Sequence, residues 1–223
     1  MSAPLVQAER LSIRFGPTAV VDDVDLSVAR GTELALTGRS GSGKTTVLLA
    51  LAGLVPPSAG SVCWPGLHSD PKRRAAQIGL VFQAPSLLPE LNARENVTLP
   101  LRLRGADQVS AISAAQIAMA AVDLADIGDA MPAELSGGQQ QRVAVARVLA
   151  GEPLLVLADE PTGALDRVTA ARVLTVLRDD VRSRGGGLVV ATHDDELASL
   201  LADRAQLSDR RLTHTVGGSA GAR

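Results

Sequence analysis

The sequence is poor in cysteine, in long apolar runs and in any N-terminal leader pattern. Its 223 residues contain one cysteine, Cys63, which excludes an internal disulfide and is typical of a reducing compartment. The longest apolar run, residues 47–55, is roughly half of the ~20 residues that a membrane-spanning helix needs. The N-terminus carries neither a basic start nor an apolar core. These absences predict a protein that stays in the cytoplasm and does not itself span the membrane.

Lysine is almost absent, and the total charge is close to neutral. Lys44 and Lys72 are the only lysines, and arginine supplies the other permanent positive charges. A lysine inside a glycine-rich loop then indicates that a compact ammonium group is needed there, although codon bias would give the same pattern. The net charge of -2 gives no general reason to expect a nucleic-acid partner.

Short apolar runs alternate with stretches of helical length, which is typical of a single α/β domain. A longer stretch, residues 93–150, is rich in alanine, glutamine and arginine and is expected to be helical. Strands that alternate with helices form a mostly parallel sheet, and such a sheet binds ligands at the carboxyl ends of its strands. Buried strands are expected within residues 33–38, 78–83, 152–160 and 186–194, with helices at 44–55 and 165–185 and a turn at 56–60. On the second helix, Val173, Leu174, Val176 and Leu177 are expected to form one apolar stripe.

A glycine-rich loop, "GRSGSGKTT" at residues 38–46, lies between a predicted strand and a predicted helix. It fits the pattern G-x-x-x-x-G-K-[ST], in which backbone N–H groups at a helix start surround a phosphate. The N–H groups of Gly41, Ser42, Gly43 and Lys44 are therefore expected to bind a β-phosphate. The Lys44 ammonium would reach the β- and γ-phosphates, and the Thr45 hydroxyl would bind Mg²⁺. A chance match would not explain the flanking strand and helix.

Polar side chains also follow three of the predicted buried strands. Asp159 and Glu160 end one strand, Gln83 ends another and His193 ends a third. Carboxylates in such a place can hold the water shell of Mg²⁺ or polarise an attacking water, but they can also simply mark where a strand leaves the core. A lone histidine is more often structural than catalytic. Taken together, these residues indicate a functional site more strongly than any one of them does, because a parallel sheet brings the ends of its strands and Lys44 to one edge.

A second glycine-containing helix start, "LSGGQ" at residues 135–139, has no strand before it. Ser136 as an ordinary N-cap would explain the serine, but not the two glycines that follow, which are poor helix residues. A hydroxyl and glycine N–H groups can instead bring donors close to a phosphate without bulk. The chain thus has two phosphate-binding helix starts.

On these motifs the chain resembles the ATP-binding subunits of ABC transporters over nearly its whole length. "LSGGQ" is similar to the family signature, "VFQ" to the Q-loop and "ALD" at residues 164–166 to the D-loop. The resemblance implies an α/β P-loop NTPase fold with a mostly parallel sheet, a small antiparallel β subdomain and an inserted helical subdomain. We expect a single domain, with a core at residues 1–84 and 151–215, the helical subdomain at 85–150 and a disordered tail at 216–223.

The resemblance also implies roles for individual residues. Glu160, His193 and Lys44 would be catalytic, and ATP with Mg²⁺ would be bound. Phe15 would stack on adenine, unless it is a core aromatic. The other nucleotide-binding residues would be Gly38, Arg39, Ser40, Gly41, Ser42, Gly43, Thr45, Thr46 and Gln83, with Thr45, Gln83 and Asp159 as the metal ligands. The residues that serve a second subunit's ATP would be Leu135, Ser136, Gly137, Gly138, Gln139 and Asp166.

The implied partners are a second ATP-binding subunit, paired head to tail, and an integral membrane permease that docks near residues 84–100. The stretch 82–101 is similar to the lipoprotein- and macrolide-exporter-like branch, which implies export and a peripheral place at the cytoplasmic face of a bacterial membrane. The departures from the family pattern are Gly163, where many members have serine, and Asn92, which replaces a frequent threonine.

Other classes of protein fit the sequence less well. Chromosome and repair ATPases place long coiled coils between the two motifs, and no heptads separate Gln83 from Leu135 here. Translation-associated relatives carry two cassettes in one chain. A P-loop kinase would not explain "LSGGQ", and a purely regulatory nucleotide binder would not need Glu160.

Overall fold

A computed structural model describes residues 3–215, so the tail predicted at 216–223 lies outside the described residues. Three strands form an antiparallel sheet in the order β2-β1-β4. They are β1 (Val6–Phe15), β2 (Thr18–Val28) and β4 (Ala59–Cys63). A β-bulge interrupts the pairing of β1 with β4 between Glu9 and Ser12.

The second sheet has six strands in the order β5-β6-β7-β3-β8-β9. Its first five strands run parallel, and the last pairs antiparallel with its neighbour. The mostly parallel sheet predicted from the sequence is therefore confirmed. The strands are β3 (Glu33–Thr37), β5 (Ile78–Val81), β6 (Leu155–Asp159), β7 (Gly187–Thr192), β8 (Asp203–Ser208) and β9 (Arg211–Thr215).

The helices fill the connections between these strands. The predicted helical stretch between β5 and β6 contains three α-helices and two short 3-10 helices, Ala125–Ile127 and Pro132–Glu134. Within residues 3–215, no helix is long and apolar enough to cross a membrane. The α-helices are α1 (Lys44–Leu51), α2 (Pro71–Ala76), α3 (Ala93–Leu103), α4 (Gln108–Ala121), α5 (Gly137–Leu149), α6 (Arg167–Ser183) and α7 (Asp195–Ala198).

The parallel sheet separates two hydrophobic clusters. Along β6, Leu155 and Leu157 face the cluster that contains α1 and the antiparallel sheet. Val156 and Ala158 face the other cluster, which contains the buried sides of α3 to α6. Successive side chains on a strand point to opposite faces, so a sheet covered on both sides reads as a continuous apolar run. That double burial fixes the edge at which the strands end.

The structure corrects three details of the prediction. β4 begins at Ala59 inside the expected turn, because Gly60 has a φ of +76° and a Cβ there would lie 2.2 Å from the Arg10 carbonyl oxygen. This glycine allows a close strand approach at the bulge rather than a turn. β5 ends at Val81, which leaves Gln83 in the following loop. On α6, Val176 is only partly buried beside the core residues Val173, Leu174 and Leu177.

Candidate nucleotide site at the carboxyl end of the parallel sheet

The loop between β3 and α1 has a backbone that only glycine adopts easily. Gly41 and Gly43 have φ angles of +76° and +105°, in the left-handed region. A Cβ on Gly43 would lie 3.0 Å from the Val20 carbonyl oxygen. The glycines therefore let the loop curl back against β2, with α1 beginning directly after it.

The start of α1 has no side-chain cap. Its N-cap, Gly43, makes no capping hydrogen bond, so the first N–H groups of the helix are available to an anion. One predicted donor differs, because the Ser42 N–H bonds to the Arg39 carbonyl oxygen at 3.1 Å inside the loop. Every other α-helix among residues 3–215 has a capping side chain, namely Asp70, Asn92, Asp107, Ser136, Asp166 and Asp194.

Lys44 lies in α1 with its ammonium group under the loop. The residue is 7% exposed, and its Nζ donates to the Gly38 and Arg39 carbonyl oxygens at 2.9 and 3.3 Å. A third donor remains on the ammonium group for a phosphate oxygen. The loop carbonyls thus hold the charge at the mouth of the cradle before an anion binds.

Thr45 and Asp159 form the contact between α1 and the end of β6. The Thr45 hydroxyl donates to Asp159 Oδ2 at 2.5 Å, and Asp159 is 6% exposed. Mg²⁺ prefers oxygen ligands, and it is usually held by one or two protein oxygens together with phosphate and water. The Gln83 side chain, which lines the same cleft, supplies a third polar group. These residues fit a magnesium ion beside the phosphate loop.

The Glu160 carboxylate is held by the end of β7. Its Oε1 accepts from the His193 backbone N–H at 3.1 Å and contacts His193 Nδ1 at 2.7 Å. Its Oε2 accepts from the Thr192 hydroxyl at 3.3 Å. The Glu160 backbone has a φ of +45°, with its N–H bonded to the Ala191 carbonyl oxygen. Three neighbouring groups therefore fix the direction of this carboxylate.

Thr192 is a functional candidate that the sequence reasoning missed. It is 2% exposed, and its hydroxyl also accepts the Asp194 N–H at 3.0 Å. The available signal was a polar residue at the end of a buried apolar strand, directly before His193.

One cleft of about 710 Å³ collects most of the predicted site. Phe15 does not line it but is 55% exposed, so it is not a core aromatic. Val20, on β2, is a lining residue that the sequence did not indicate. The lining comprises Val20, Arg39, Ser40, Gly41, Gly43, Lys44, Thr45, Thr46, Gln83, Asp159, Glu160 and His193.

None of residues 135–139 lines this cleft. Ser136 caps α5, with its Oγ accepting from the Gln139 N–H at 3.2 Å. Gln139 Oε1 in turn accepts the Ser136 N–H at 2.8 Å. Gly138 has a local packing role too, because a Cβ there would lie 3.2 Å from the Ala164 carbonyl oxygen. The helix start at Ser136 is therefore formed, but it lies outside the cleft that contains the chain's own phosphate loop.

Asp166 also caps a helix. Its carboxylate accepts from the Thr169 hydroxyl at 2.7 Å and from the Val168 and Thr169 N–H groups at 3.0 Å each. The Thr169 hydroxyl, followed by these backbone donors, holds the pKa of Asp166 below its ordinary value. The carboxylate therefore orders the start of α6 next to the loop that touches Gly138.

The two departures from the family pattern are accommodated. Asn92 caps α3 and forms a reciprocal pair with Glu95, so it satisfies the helix start as a threonine would. At Gly163 an added Cβ would make only ordinary contacts with Glu160, the nearest of them at 3.6 Å.

The cleft has the features of one class of protein. It has a glycine loop before an uncapped helix, a lysine under the loop and a Thr–Asp pair at the sheet edge. Together these features define a P-loop nucleotide-binding protein. Residues 21–163 match the model of the family described as ABC transporter. The chain therefore belongs to the ABC transporter family, whose ATP-binding cassettes are ATPases.

Individual relatives agree with this family. The lipoprotein-releasing system ATP-binding protein LolD of Shewanella sp. (strain MR-7) is 42% identical over 221 residues, which cover 95% of this chain and 93% of that protein. The methionine import ATP-binding protein MetN of Brucella abortus (strain 2308) is 39% identical over 224 residues, or 97% of this chain. The chain spans only about 60% of the length of that relative.

Solved structures show the same fold. A dimeric ATP-binding cassette in a post-hydrolysis state, bound to ADP and Pi, has a TM-score of 0.84 and 32% identity, covering 96% of this chain and all of that one. A dimeric bacterial ABC transporter cassette has a TM-score of 0.85 and 31% identity, with the same coverage. The P-loop NTPase fold with an antiparallel subdomain and a helical insertion, predicted from the sequence, is confirmed.

Proposed function

We propose that this chain is the ATP-binding and ATP-hydrolysing subunit of an ABC transporter. The observation that carries the proposal is the single cleft in which Lys44, the Thr45–Asp159 pair and Glu160 meet. The purified chain should release phosphate from ATP in the presence of Mg²⁺. A well-folded chain that neither binds nor hydrolyses ATP would overturn the proposal.

We assign the following roles. The N–H groups at the start of α1 bind the phosphates and Lys44 neutralises their charge. Phe15, which is exposed, is assigned to stacking on the adenine from the family resemblance. Thr45, Gln83 and Asp159 would hold Mg²⁺, which would supply further neutralisation of the phosphate charge. Glu160 accepts the proton of the water that attacks the γ-phosphorus, while the bond between the γ-phosphorus and the β–γ bridging oxygen breaks, so that ADP and phosphate are released. His193 holds the Glu160 carboxylate near that water.

Two subunits complete each site, because none of residues 135–139 lines the cleft of its own chain. Residues 135–139 of a second cassette, paired head to tail, would cover the γ-phosphate, with Asp166 of that cassette ordering the adjoining loop. The Ser136 hydroxyl accepts one N–H and still has its own hydrogen to donate. Ser136 and Gly137 are exposed, as this role requires. The dimeric cassettes of similar fold support the pairing.

A separate membrane permease is the second partner, and it places the chain at the cytoplasmic face of a bacterial membrane. Its docking surface is proposed at residues 84–100. Leu88 is 44% exposed there, while Leu87 packs partly into the helical core. We propose transport of the export type from the similarity of residues 82–101 to that branch and from the 42% identity to LolD. The 39% identity to MetN makes import the second candidate.

Leu88→Glu is expected to weaken docking on the permease on the order of 10- to 100-fold, because an unpaired polar group in an apolar interface costs about 1–3 kcal/mol. Co-sedimentation with inside-out membrane vesicles from the source cells, and stimulation of ATP hydrolysis by them, measure this. Leu54→Glu is the matched control, since Leu54 is 60% exposed and lies after α1. Equal binding and stimulation by both variants would contradict the docking assignment.

Thr192→Val is expected to lower kcat roughly fivefold to tenfold, about 1–1.4 kcal/mol, which is the net size of one ordinary hydrogen bond. KM for ATP should change little, because Thr192 contacts Glu160 and not the phosphate loop. Thr192→Ser keeps the hydroxyl and should keep the rate. An unchanged kcat in the valine variant would remove Thr192 from the positioning of Glu160.

A further inference from the structure

The segment that follows Gln83 and ends at Asn92, which we term the docking segment (residues 84–92), has no regular secondary structure of its own. Ser86 within it has a φ of +49°, in the left-handed region that a non-glycine residue rarely adopts. Its conformation must therefore be imposed by contacts with other elements. Those contacts come from polar side chains of α5 and α3.

Arg147, near the end of α5, binds the first part of the docking segment. Its Nη2 donates to the Pro85 carbonyl oxygen and its Nη1 to the Ser86 carbonyl oxygen, both at 3.0 Å. A guanidinium group presents these two donors in a fixed planar fork, so the two bonds set the orientation of the segment as well as its position. Burial lowers the pKa of Arg147, yet guanidinium stays charged at neutral pH.

Gln141, on the same helix, binds the chain on the other side of Gln83. It is 1% exposed, and its Nε2 donates to the Phe82 carbonyl oxygen at 3.3 Å. The loop that carries Gln83 is thus attached to α5 both before and after the glutamine. A shift of α5 relative to the parallel sheet would move both attachment points together.

Asn96, on α3, binds the second part of the docking segment. It is 1% exposed, its Oδ1 accepts the Leu88 N–H at 2.8 Å, and its Nδ2 contacts the Leu88 and Leu91 carbonyl oxygens. α3 packs on α5 in the same cluster. The docking segment is therefore hydrogen-bonded to the helical layer through α5 and α3, and in the chain it follows β5.

We infer that Arg147 is a positioning residue that makes the docking segment follow α5, so that contacts made at the Ser136 end of this helix are transmitted to the surface around Leu88. The inference rests on the proposed function, because nucleotide and a second cassette are what would act on that end. Helix α5 runs from Gly137 to Leu149 without a proline or interior glycine break. It can therefore move as one rigid rod between the two ends.

The test compares Arg147→Lys with Arg142→Lys. Lysine keeps the charge but loses the planar fork. Arg142 lies on the same helix, and its Nη1 also donates to two consecutive carbonyl oxygens, those of Val122 and Asp123, at 3.0 and 3.2 Å. Arg142→Lys therefore removes the same kind of hydrogen bonds as Arg147→Lys, but it leaves the contacts of the docking segment unchanged. Arg147→Gln is a second variant in case the lysine substitution disturbs folding.

Amide hydrogen exchange is measured with and without adenylyl imidodiphosphate and Mg²⁺. In the unchanged chain and in Arg142→Lys, nucleotide should alter exchange both at residues 38–46 and at residues 86–91. In the Arg147 variants the change at 86–91 should be lost, while the change at 38–46 and the affinity for the nucleotide are kept.

The inference would be overturned by a nucleotide-dependent change at 86–91 that survives in both Arg147 variants, or by one that is lost equally in Arg142→Lys. No change at 86–91 in the unchanged chain, beside a clear change at 38–46, would also overturn it. No change at either place would instead contradict the proposed function.

Discussion

Glu160→Gln is expected to keep ATP bound and to lose turnover by roughly 10²–10⁴-fold, about 3–5 kcal/mol of barrier. The amide has the size of the carboxylate and can still accept the His193 N–H, so the end of β7 should stay in place. It cannot accept a proton from the attacking water. A closed, ATP-loaded dimer should therefore accumulate. Steady-state phosphate release and size-exclusion chromatography with ATP measure the two effects.

Glu9→Gln is the control for this variant, because Glu9 is an exposed glutamate on β1 outside the cleft. It should hydrolyse ATP at the unchanged rate. Normal hydrolysis by purified Glu160→Gln would remove Glu160 from the mechanism. Asp159, which is bonded to Thr45, would then be the remaining carboxylate of the site.

Lys44→Ala is expected to weaken ATP binding on the order of 10²–10³-fold, about 3–4 kcal/mol, because it removes charge-assisted bonds to the phosphates. The buried ammonium also bonds to the Gly38 and Arg39 carbonyl oxygens, so its loss loosens the loop itself. Equilibrium binding of a fluorescent ATP analogue measures the effect.

The chain offers a simple control, since Lys72 is its only other lysine and is exposed on α2. Lys72→Ala should bind ATP as the unchanged chain does. Tight ATP binding by Lys44→Ala would mean that the loop N–H groups suffice and that the ammonium serves only the loop structure.

The parallel sheet and the phosphate loop could be predicted because their signals are local. Residues 155–158 are apolar in sequence because both faces of β6 are covered, and the glycines at 41 and 43 mark a backbone that other residues avoid. The end of the strand then places Asp159 and Glu160 at one edge. The α/β fold class needed no more information than this.

The details that the sequence missed depend on contacts between distant residues. The hydroxyl of Thr192 meets Glu160 only because β6 and β7 pair in a particular register, and periodicity does not fix register. Arg147 donates to Pro85 and Ser86, which lie 62 and 61 residues earlier in the sequence. The sequence predicts a turn at Gly60, because none of the residues around it indicates the bulge on the neighbouring strand β1.

The second helix start shows how a local and a functional reason can share the same residues. Ser136 is an N-cap, and Gly138 packs against the loop at Ala164, so each residue already has a role within its own chain. Neither role brings the motif to the chain's own cleft. The motif is therefore expected to meet a nucleotide only in a second cassette that is paired head to tail.

The most direct test mixes chains that carry Lys44→Ala with chains that carry Ser136→Arg, and measures ATP retained by the tagged mixed dimer. In a head-to-tail pair one site collects both defects, while the other combines an unchanged phosphate loop with an unchanged Ser136. We expect about one ATP per mixed dimer and almost none in either mutant dimer, as one intact composite site requires. If Ser136 served the cleft of its own chain, both sites would be damaged, and a mixed dimer that retains no more ATP than either mutant alone would contradict the account.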